Sequence, residues 1–257
     1  MTADRRFDLS GRTVIVTGGG KGIGKVYCQA FAGAGARVVA ADIDGEAAEA
    51  VARDILAEGV DAIAVATDIS EPESVHAMAE AALARFGAID VLVNNASLMS
   101  ALPRRSWLEI PVEEWDRVMA VNLRGVFLCC RAVFPAMREQ GRGKIVNISS
   151  NRVWAGTPNR LHYTASKAGV IGLTRALARE VGAFGITVNA VTPGLTFSDT
   201  QLASSSNEHL SKAAEGRALG RPQYPDDLVG TVMFLSSPAS DFITGQTINV
   251  DGGKEMH

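Results

Sequence analysis

The chain has 257 residues, with 25 Lys+Arg against 28 Asp+Glu and a net charge of −3. That length supports a sizeable core in one large α/β domain or two small ones. The charge balance disfavours a broadly basic nucleic-acid face, and 47% apolar residues with 26 scattered glycines exclude disorder and a collagen-like repeat.

The first eleven residues, Met1 to Gly11, carry charges without an apolar segment, so no signal peptide is expected. Short β-branched runs then alternate with Ala-rich helical patterns. The predicted strands are Thr13–Thr17, Arg37–Ala41, Ala62–Ala66, Val91–Val93, Lys144–Ile148, Ile186–Val191 and Thr247–Val250. A helical pattern follows the first strand, and others cover Gly45–Glu58, Pro72–Phe86, Val112–Gln140, Tyr163–Val181 and Pro225–Leu235. Strands separated by helices of that length imply βαβ crossovers. The expected fold class is therefore α/β: a doubly wound parallel sheet (Rossmann fold) in a three-layer αβα single domain. The stretch Phe197–Gln223, richer in Ser, Gly and charge, reads as an excursion on that domain.

No apolar run approaches the roughly 18 residues of a membrane helix. The best candidate, Val126 to Phe134, is interrupted by Arg131. Cys28, Cys129 and Cys130 lack metal-ligand spacing and read as reduced core thiols. The four histidines His76, His162, His209 and His257 show no paired spacing, so no metal site is expected. These features predict a soluble cytoplasmic protein with no nucleic-acid and no membrane partner.

The first strand runs into Thr17-Gly18-Gly19-Gly20-Lys21-Gly22-Ile23-Gly24, with a helix after it. Glycines at such a turn let a pyrophosphate approach the helix N-terminus without a Cβ in the way. Asp42 ends the second strand, where an acid that binds the adenosine ribose is expected. A carboxylate there accepts hydrogen bonds from ribose hydroxyls and repels a 2′-phosphate, which favours NAD(H) over NADP(H). Lys21 pulls the other way, since its ammonium could meet that phosphate.

Tyr163 and Lys167 stand four residues apart, on one helix face. A free tyrosine titrates near 10, too high for a base at neutral pH, and a nearby ammonium favours the phenolate. Ser150 follows the strand Lys144–Ile148, at the carboxyl edge of the sheet where ligands bind in open α/β folds.

With these motifs the sequence resembles the short-chain dehydrogenase/reductase family from Gly11 to Gly253. The resemblance rests on Thr17–Gly24, Asp68-Ile69, Asn94-Asn95-Ala96, Asn122, Ser150, Tyr163 with Lys167, Pro193-Gly194, and the closing Ile243-Thr244-Gly245-Gln246…Val250-Asp251-Gly252-Gly253. It implies Tyr163 as general acid/base, Lys167 on the nicotinamide ribose, Ser150 on the substrate oxygen, and Asn122 anchoring a water that continues a proton relay. It implies a cofactor site of Gly18, Lys21, Gly22, Ile23, Gly24, Asp42, Ile43, Asp68, Ile69, Asn95, Ala96, Tyr163, Lys167, Pro193, Gly194, Thr196 and Ser198. Asn94 would instead tie neighbouring strands. Two departures mark this chain: Ser97 replaces the usual Gly after Asn-Asn-Ala, and Ser198 replaces the usual Thr after Pro-Gly. The resemblance further implies a homotetramer packed through the Val112–Gln140 and Tyr163–Val181 helices, with Ala168, Gly169, Ile171 and Gly172 permitting close contact.

Substrate loops are expected at Leu98–Trp107, Asn151–His162 and Phe197–Arg221. They hold Arg104, Arg105, Trp107, Arg152, Trp154, Asn159, His162, Phe197 and His209. One reading is an aromatic-walled pocket with an arginine for an anionic substituent. Its candidate residues are Arg152, Trp154, His162 and Phe197. The other reading is that the arginines are solvated, the tryptophans pack, and His162 faces solvent at a helix start. A local resemblance of Ala155–Asn159 and the segment Val191–Asp199 to family members acting on aromatic carbinols suggests a ring-bearing alcohol or carbonyl substrate. The alternatives are an NADPH-dependent 3-oxoacyl-thioester reductase and, in another class, a non-catalytic dinucleotide-binding sensor or scaffold. A methyltransferase would have no need of the serine, tyrosine and lysine set.

Overall fold

Seven strands form one sheet: β1 (Thr13–Thr17), β2 (Arg37–Asp42), β3 (Ala62–Ala66), β4 (Val91–Asn94), β5 (Gly143–Ile148), β6 (Ile186–Pro193) and β7 (Thr247–Val250). The computed structural model describes residues 7–199, 212 and 214–256; His209 and His257 lie outside the described residues, as does much of the 197–223 excursion. The strand order is β3-β2-β1-β4-β5-β6-β7, and every pairing is parallel. The chain winds outward from β1 to β3, then returns and winds the other way from β4. That reversal leaves a crevice at the carboxyl ends of β1 and β4, the position where open α/β sheets take ligands.

Alternation along each strand builds a core on both faces. On one face Val14, Val16, Val38 and Val146 pack with Tyr27, Cys28 and Phe31 of α1 (Gly22–Gly33), Val51 and Ile55 of α2 (Gly45–Ala57), and Leu228, Val232 and Leu235 near the C-terminus. On the other, Ile15, Val39, Leu92, Ile145 and Val188 meet α3 (Pro72–Phe86), α5 (Gly125–Gln140) and α7 (Leu161–Val181). The C-terminal helix of the first layer is α8 (Asp226–Ser236). Burying each large aliphatic side chain contributes about 1.5–3 kcal/mol. The expected three-layer, doubly wound fold is therefore present, with one sheet running through the chain.

The helix predicted as Val112–Gln140 divides into α4 (Val112–Met119), a π-helical turn (Ala120–Arg124) and α5. Over these 29 residues it is long and apolar enough to cross a membrane by length and composition, which corrects the reading that stopped at Arg131. In this fold it is a core helix, with Val126, Cys129, Val133 and Met137 buried against the sheet. The three cysteines are buried free thiols, and burial pushes Cys130 up to about 12.

Candidate active site

The turn after β1 leads without a side-chain cap into α1: the residue before the helix, Lys21, makes no capping bond, and the first turn holds no acid. The first amide groups of the helix are thus left for an anion. The turn is kept tight by its glycines. Gly18 has φ +65°, and a Cβ there would lie 2.9 Å from Ala96 Cα; a Cβ on Gly24 would collide with the Gly18 carbonyl. Thr17 joins this turn to the end of β4, because its Oγ1 accepts from the amides of Asn95 and Ala96, at 3.1 Å each. Asn95 returns the link by donating to the Thr17 carbonyl at 3.0 Å.

Asp42 stands at the end of β2 and accepts from the Gly20 amide at 2.9 Å and the Asp44 amide at 3.0 Å. Lys21 Nζ lies 2.5 Å from Asp44 Oδ2. This pair raises the lysine and lowers Asp44, the hydrogen bond between them being the largest cause in each case. Lys21, which could have met a 2′-phosphate, is thus turned toward a carboxylate.

From here a cavity of about 460 Å³ follows the carboxyl edge of the sheet. Its wall brings together Gly18, Lys21, Gly22, Ile23, Gly24, Asn95, Ala96, Ser150, Tyr163, Lys167, Pro193, Gly194, Thr196 and Ser198. Asp42, Ile43, Asp68 and Ile69 are not part of this wall. Ile43 is 71% exposed, Ile69 is buried, and the Asp68 carboxylate accepts from the amide and hydroxyl of Ser70. A larger cavity of about 580 Å³ lies at the opposite, amino end of the strands. Its charged groups are paired with one another, Arg12 and Arg142 with Asp90 and Lys144 with Asp241, and it holds none of the candidate residues.

β5 delivers Ser150 to this edge, the short α6 (Arg152–Ala155) follows, and α7 crosses beside it. Burial pushes the Tyr163 phenol up, and the neighbouring Ser150 hydroxyl lowers it part of the way back. The nearby charges of Arg152 and Arg160 lower it further. Lys167 is buried, with Nζ donating to the Ile148 carbonyl at 2.8 Å and sitting 5.8 Å from the centre of the Tyr163 ring. Burial brings it down to about 8. The lysine therefore sits by the ring face. Ser149, which the sequence did not single out, holds α7 in place by donating to the Lys167 carbonyl at 2.8 Å.

Asn122 sits in the π-turn, wholly buried. Its Oδ1 accepts from the Leu98 amide at 2.7 Å, and its Nδ2 donates to the Leu98 carbonyl and to Ser166 Oγ. The side chain thus ties the loop after β4 to α7. Asn94 donates to Asn147 Oδ1 at 2.8 Å, linking β4 to β5.

The substrate side departs from expectation. Phe197 is 1% exposed and His162 is fully buried, so neither lines the cavity, and His162 does not face solvent. His162 instead meets Glu114 of α4. Trp154 donates from Nε1 to Thr192 Oγ1 at 3.4 Å and also lies outside the wall, while Trp107 is 65% exposed. Among the described residues, Tyr163 is the only aromatic side chain in this cavity or in the smaller one beside Ser150. The aromatic-walled pocket is thus absent from the described residues. Arg152, by contrast, lines the smaller cavity, as does Arg160, which the sequence did not mark out. On the helix faces, Ala168 and Gly172 are exposed, whereas Gly169 packs on Leu123 and Ile171 is buried within the chain.

Comparison with known proteins agrees with this geometry. A family model described as enoyl-(acyl carrier protein) reductase matches residues 18–255. An uncharacterised oxidoreductase of Mycobacterium tuberculosis is 44% identical over 243 residues, covering 95% of this chain and 97% of the relative. A 3-oxoacyl-[acyl-carrier-protein] reductase of Synechocystis is 39% identical over 250 residues, covering 96% of this chain and 98% of that protein. The crystal structure of a short-chain type dehydrogenase/reductase from Mycobacterium marinum superposes with a TM-score of 0.88 at 34% identity, over 97% of each chain. The chain belongs to the short-chain dehydrogenase/reductase family of NAD(P)-using oxidoreductases.

Proposed function

We propose that the protein interconverts an alcohol and its carbonyl compound with NAD(H), using Tyr163 as general acid/base. The observation that carries this reading is that Ser150, Tyr163 and Lys167 line one cavity with the glycine turn. The uncapped start of α1 and the glycines before it suit a pyrophosphate, and Pro193, Gly194, Thr196 and Ser198 line the other end of the cleft. A nicotinamide held there would supply the hydride acceptor for oxidation and the hydride donor for reduction.

The remaining chemistry belongs to the chain. In oxidation the Tyr163 phenolate takes the hydroxyl proton as the oxygen becomes a carbonyl; in reduction the phenol gives it back. General acid/base catalysis of this kind contributes about 10² to 10⁴ in rate. Ser150 donates to the substrate oxygen while charge develops on it. Arg152 and Arg160 favour the phenolate. Lys167 would hold the ribose hydroxyls, and Asn122 supports the site by fixing the loop at Leu98 against Ser166. Asp42, with Lys21 engaged by Asp44, favours NAD(H) over NADP(H), and this separates the reading from an NADPH-dependent 3-oxoacyl-thioester reductase. A homotetramer fits the exposed apolar face of α5 and α7, where Phe127 is 49% exposed and Gly172 opens onto free space.

A panel of alcohols with NAD⁺ and NADP⁺, followed at the NADH absorbance, tests the assignment. NAD⁺-linked turnover that Tyr163→Phe removes is expected. Turnover that survives in Tyr163→Phe, or no turnover of any alcohol or carbonyl, overturns it.

A further inference from the structure

Beside Ser150 a second cavity of about 290 Å³ opens, and it shares Met99, Ser150, Gly194 and Leu195 with the wall of the first. A substrate with its oxygen at Ser150 can therefore extend into this space. Among the described residues, its wall carries the cationic side chains of Arg104, Arg152, Arg160, Lys212, Arg217 and Lys254 against one carboxylate, Glu255.

Several arginines elsewhere in the molecule stand with acids. Arg105 pairs with Glu114, Arg221 with Asp227, and Arg12 and Arg142 with Asp90. Around this cavity they do not. Arg152 donates through Nη2 to the carbonyls of Thr157 and Pro158, and Arg160 to Met99 Sδ and the Leu102 carbonyl. Arg217 donates to the carbonyls of Leu195 and Arg221. All three keep a buried Nε without a partner. Arg104 is exposed at the rim and makes no hydrogen bond to a described residue. For Arg152 and Arg160 these neutral acceptors hold the guanidinium planes in place without neutralising them, whereas Arg217 also feels Asp251 and Asp227. The cost shows in the titration of Arg152 and Arg160, both lowered first by burial and then by their cationic neighbours. A half-buried cluster of like charges is unfavourable unless an anion enters it.

We propose that this cavity binds an anionic group of the substrate, a carboxylate or a phosphate, so that the enzyme acts on a small hydroxy acid or phosphorylated alcohol, or on the corresponding carbonyl compound. The inference rests on the alcohol/carbonyl reading for its reacting atoms. Guanidinium groups suit both anions because their donors match two oxygens at once. The position of the cavity places the anion beyond Ser150, away from the end of the cleft at Asp42 and α1. The same two arginines that hold it also act on the Tyr163 phenol, so anion binding and proton transfer share their charges.

The test uses matched pairs: hydroxy acids against their methyl esters, and phosphate monoesters against the free alcohols. The anionic member is expected to have a KM lower by about tenfold or more, since hydrogen bonds between charged groups are the stronger class. Arg104→Gln, at an exposed position that should fold normally, should raise KM for the anionic member about tenfold. The neutral member's KM should change by less than about twofold. Preference for acids over phosphate esters, or the reverse, identifies the anion. Equal KM within the pairs, or a variant that shifts both members alike, overturns the proposal while leaving the oxidoreductase reading intact. If no alcohol or carbonyl compound turns over, that reading fails. The cavity is then judged by calorimetric titration of inorganic phosphate and benzoate into the NADH-loaded protein. Binding of either that Arg104→Gln abolishes supports the cavity; no binding of either, or binding the variant leaves unchanged, refutes it.

Discussion

His162 Nε2 lies 3.1 Å from Glu114 Oε1, a buried contact that fastens the first turn of α7 to α4 one residue before Tyr163. The second oxygen of Glu114 faces Arg105 at 3.4 Å, so one carboxylate joins α4, α7 and the loop between β4 and α4. The helix that carries Tyr163 and Lys167 therefore has its start defined by a polar tie. Its next turns pack against the sheet through Val170 and Thr174, with Thr174 accepting from Asn147 of β5 at 2.9 Å.

Truncating that tie should weaken both fold and site. His162→Ala is expected to cost about 1–3 kcal/mol, since it leaves a largely buried acceptor without its partner. It should lower kcat more than it weakens NADH binding, because the glycine turn proposed for the pyrophosphate is remote from α4. Thermal melts and cofactor titrations on the same preparation check both halves. An unchanged melting temperature would mean that the contact contributes nothing.

Tyr163→Phe keeps the ring in its place over Lys167 and removes only the hydroxyl. Turnover should fall about 10²-fold or more, with NADH affinity nearly unchanged. Retention of more than about a tenth of the activity would exclude Tyr163 from proton transfer.

Cofactor choice should follow the two acids at the end of β2. Asp42→Ser is predicted to move the NAD⁺ to NADP⁺ ratio of kcat/KM toward NADP⁺ by about tenfold or more, because a like charge facing the 2′-phosphate is removed. Comparable efficiency of the unaltered enzyme with both cofactors would contradict the role given to Asp42.

The buried ammonium of Lys167 predicts a pH dependence with a definite sign. Its pKa falls from 10.5 in the unfolded chain to about 8 in the fold, so between these values the unfolded state binds more protons. Its contribution to stability therefore rises with pH from about 8 upward. Between pH 8 and 9 the gain is about 1 kcal/mol, and Lys167→Met should lack it. Buried thiols such as Cys130 within this window, and phenols such as Tyr163 above it, oppose the trend in both proteins, because their values are raised in the fold and they titrate first in the unfolded chain. Denaturant melts of the cofactor-free proteins across that pH unit compare the two slopes. Parallel slopes would show that Lys167 titrates normally.

Much of the fold was legible in the sequence. Seven β-branched runs marked the seven strands, and Thr13–Thr17, Ala62–Ala66 and Thr247–Val250 needed no change of boundary. The other strands extended by one or two residues, where register with a neighbour continues the ladder, as Pro193 does against Val250. The helix Pro72–Phe86 was bounded by its own Pro at the start and left-handed Gly87 at the end. The π-turn at Ala120–Arg124 was not legible, because nothing in local composition distinguishes it from the α-helix on either side.

The sequence by itself determined the family, the α/β layering and the residues that meet at the sheet edge, because glycine spacing, strand patterning and the Tyr163–Lys167 interval are local properties of the chain. Only the tertiary structure decided which charges act on which groups. It turned Lys21 to Asp44, buried His162 against Glu114 and Phe197 in the core, and set Arg152 and Arg160 around a cavity beside Ser150. Those outcomes depend on the packing of segments far apart in the chain, and on which carboxylate each cation reaches once water has been excluded. No periodicity along the sequence encodes that choice.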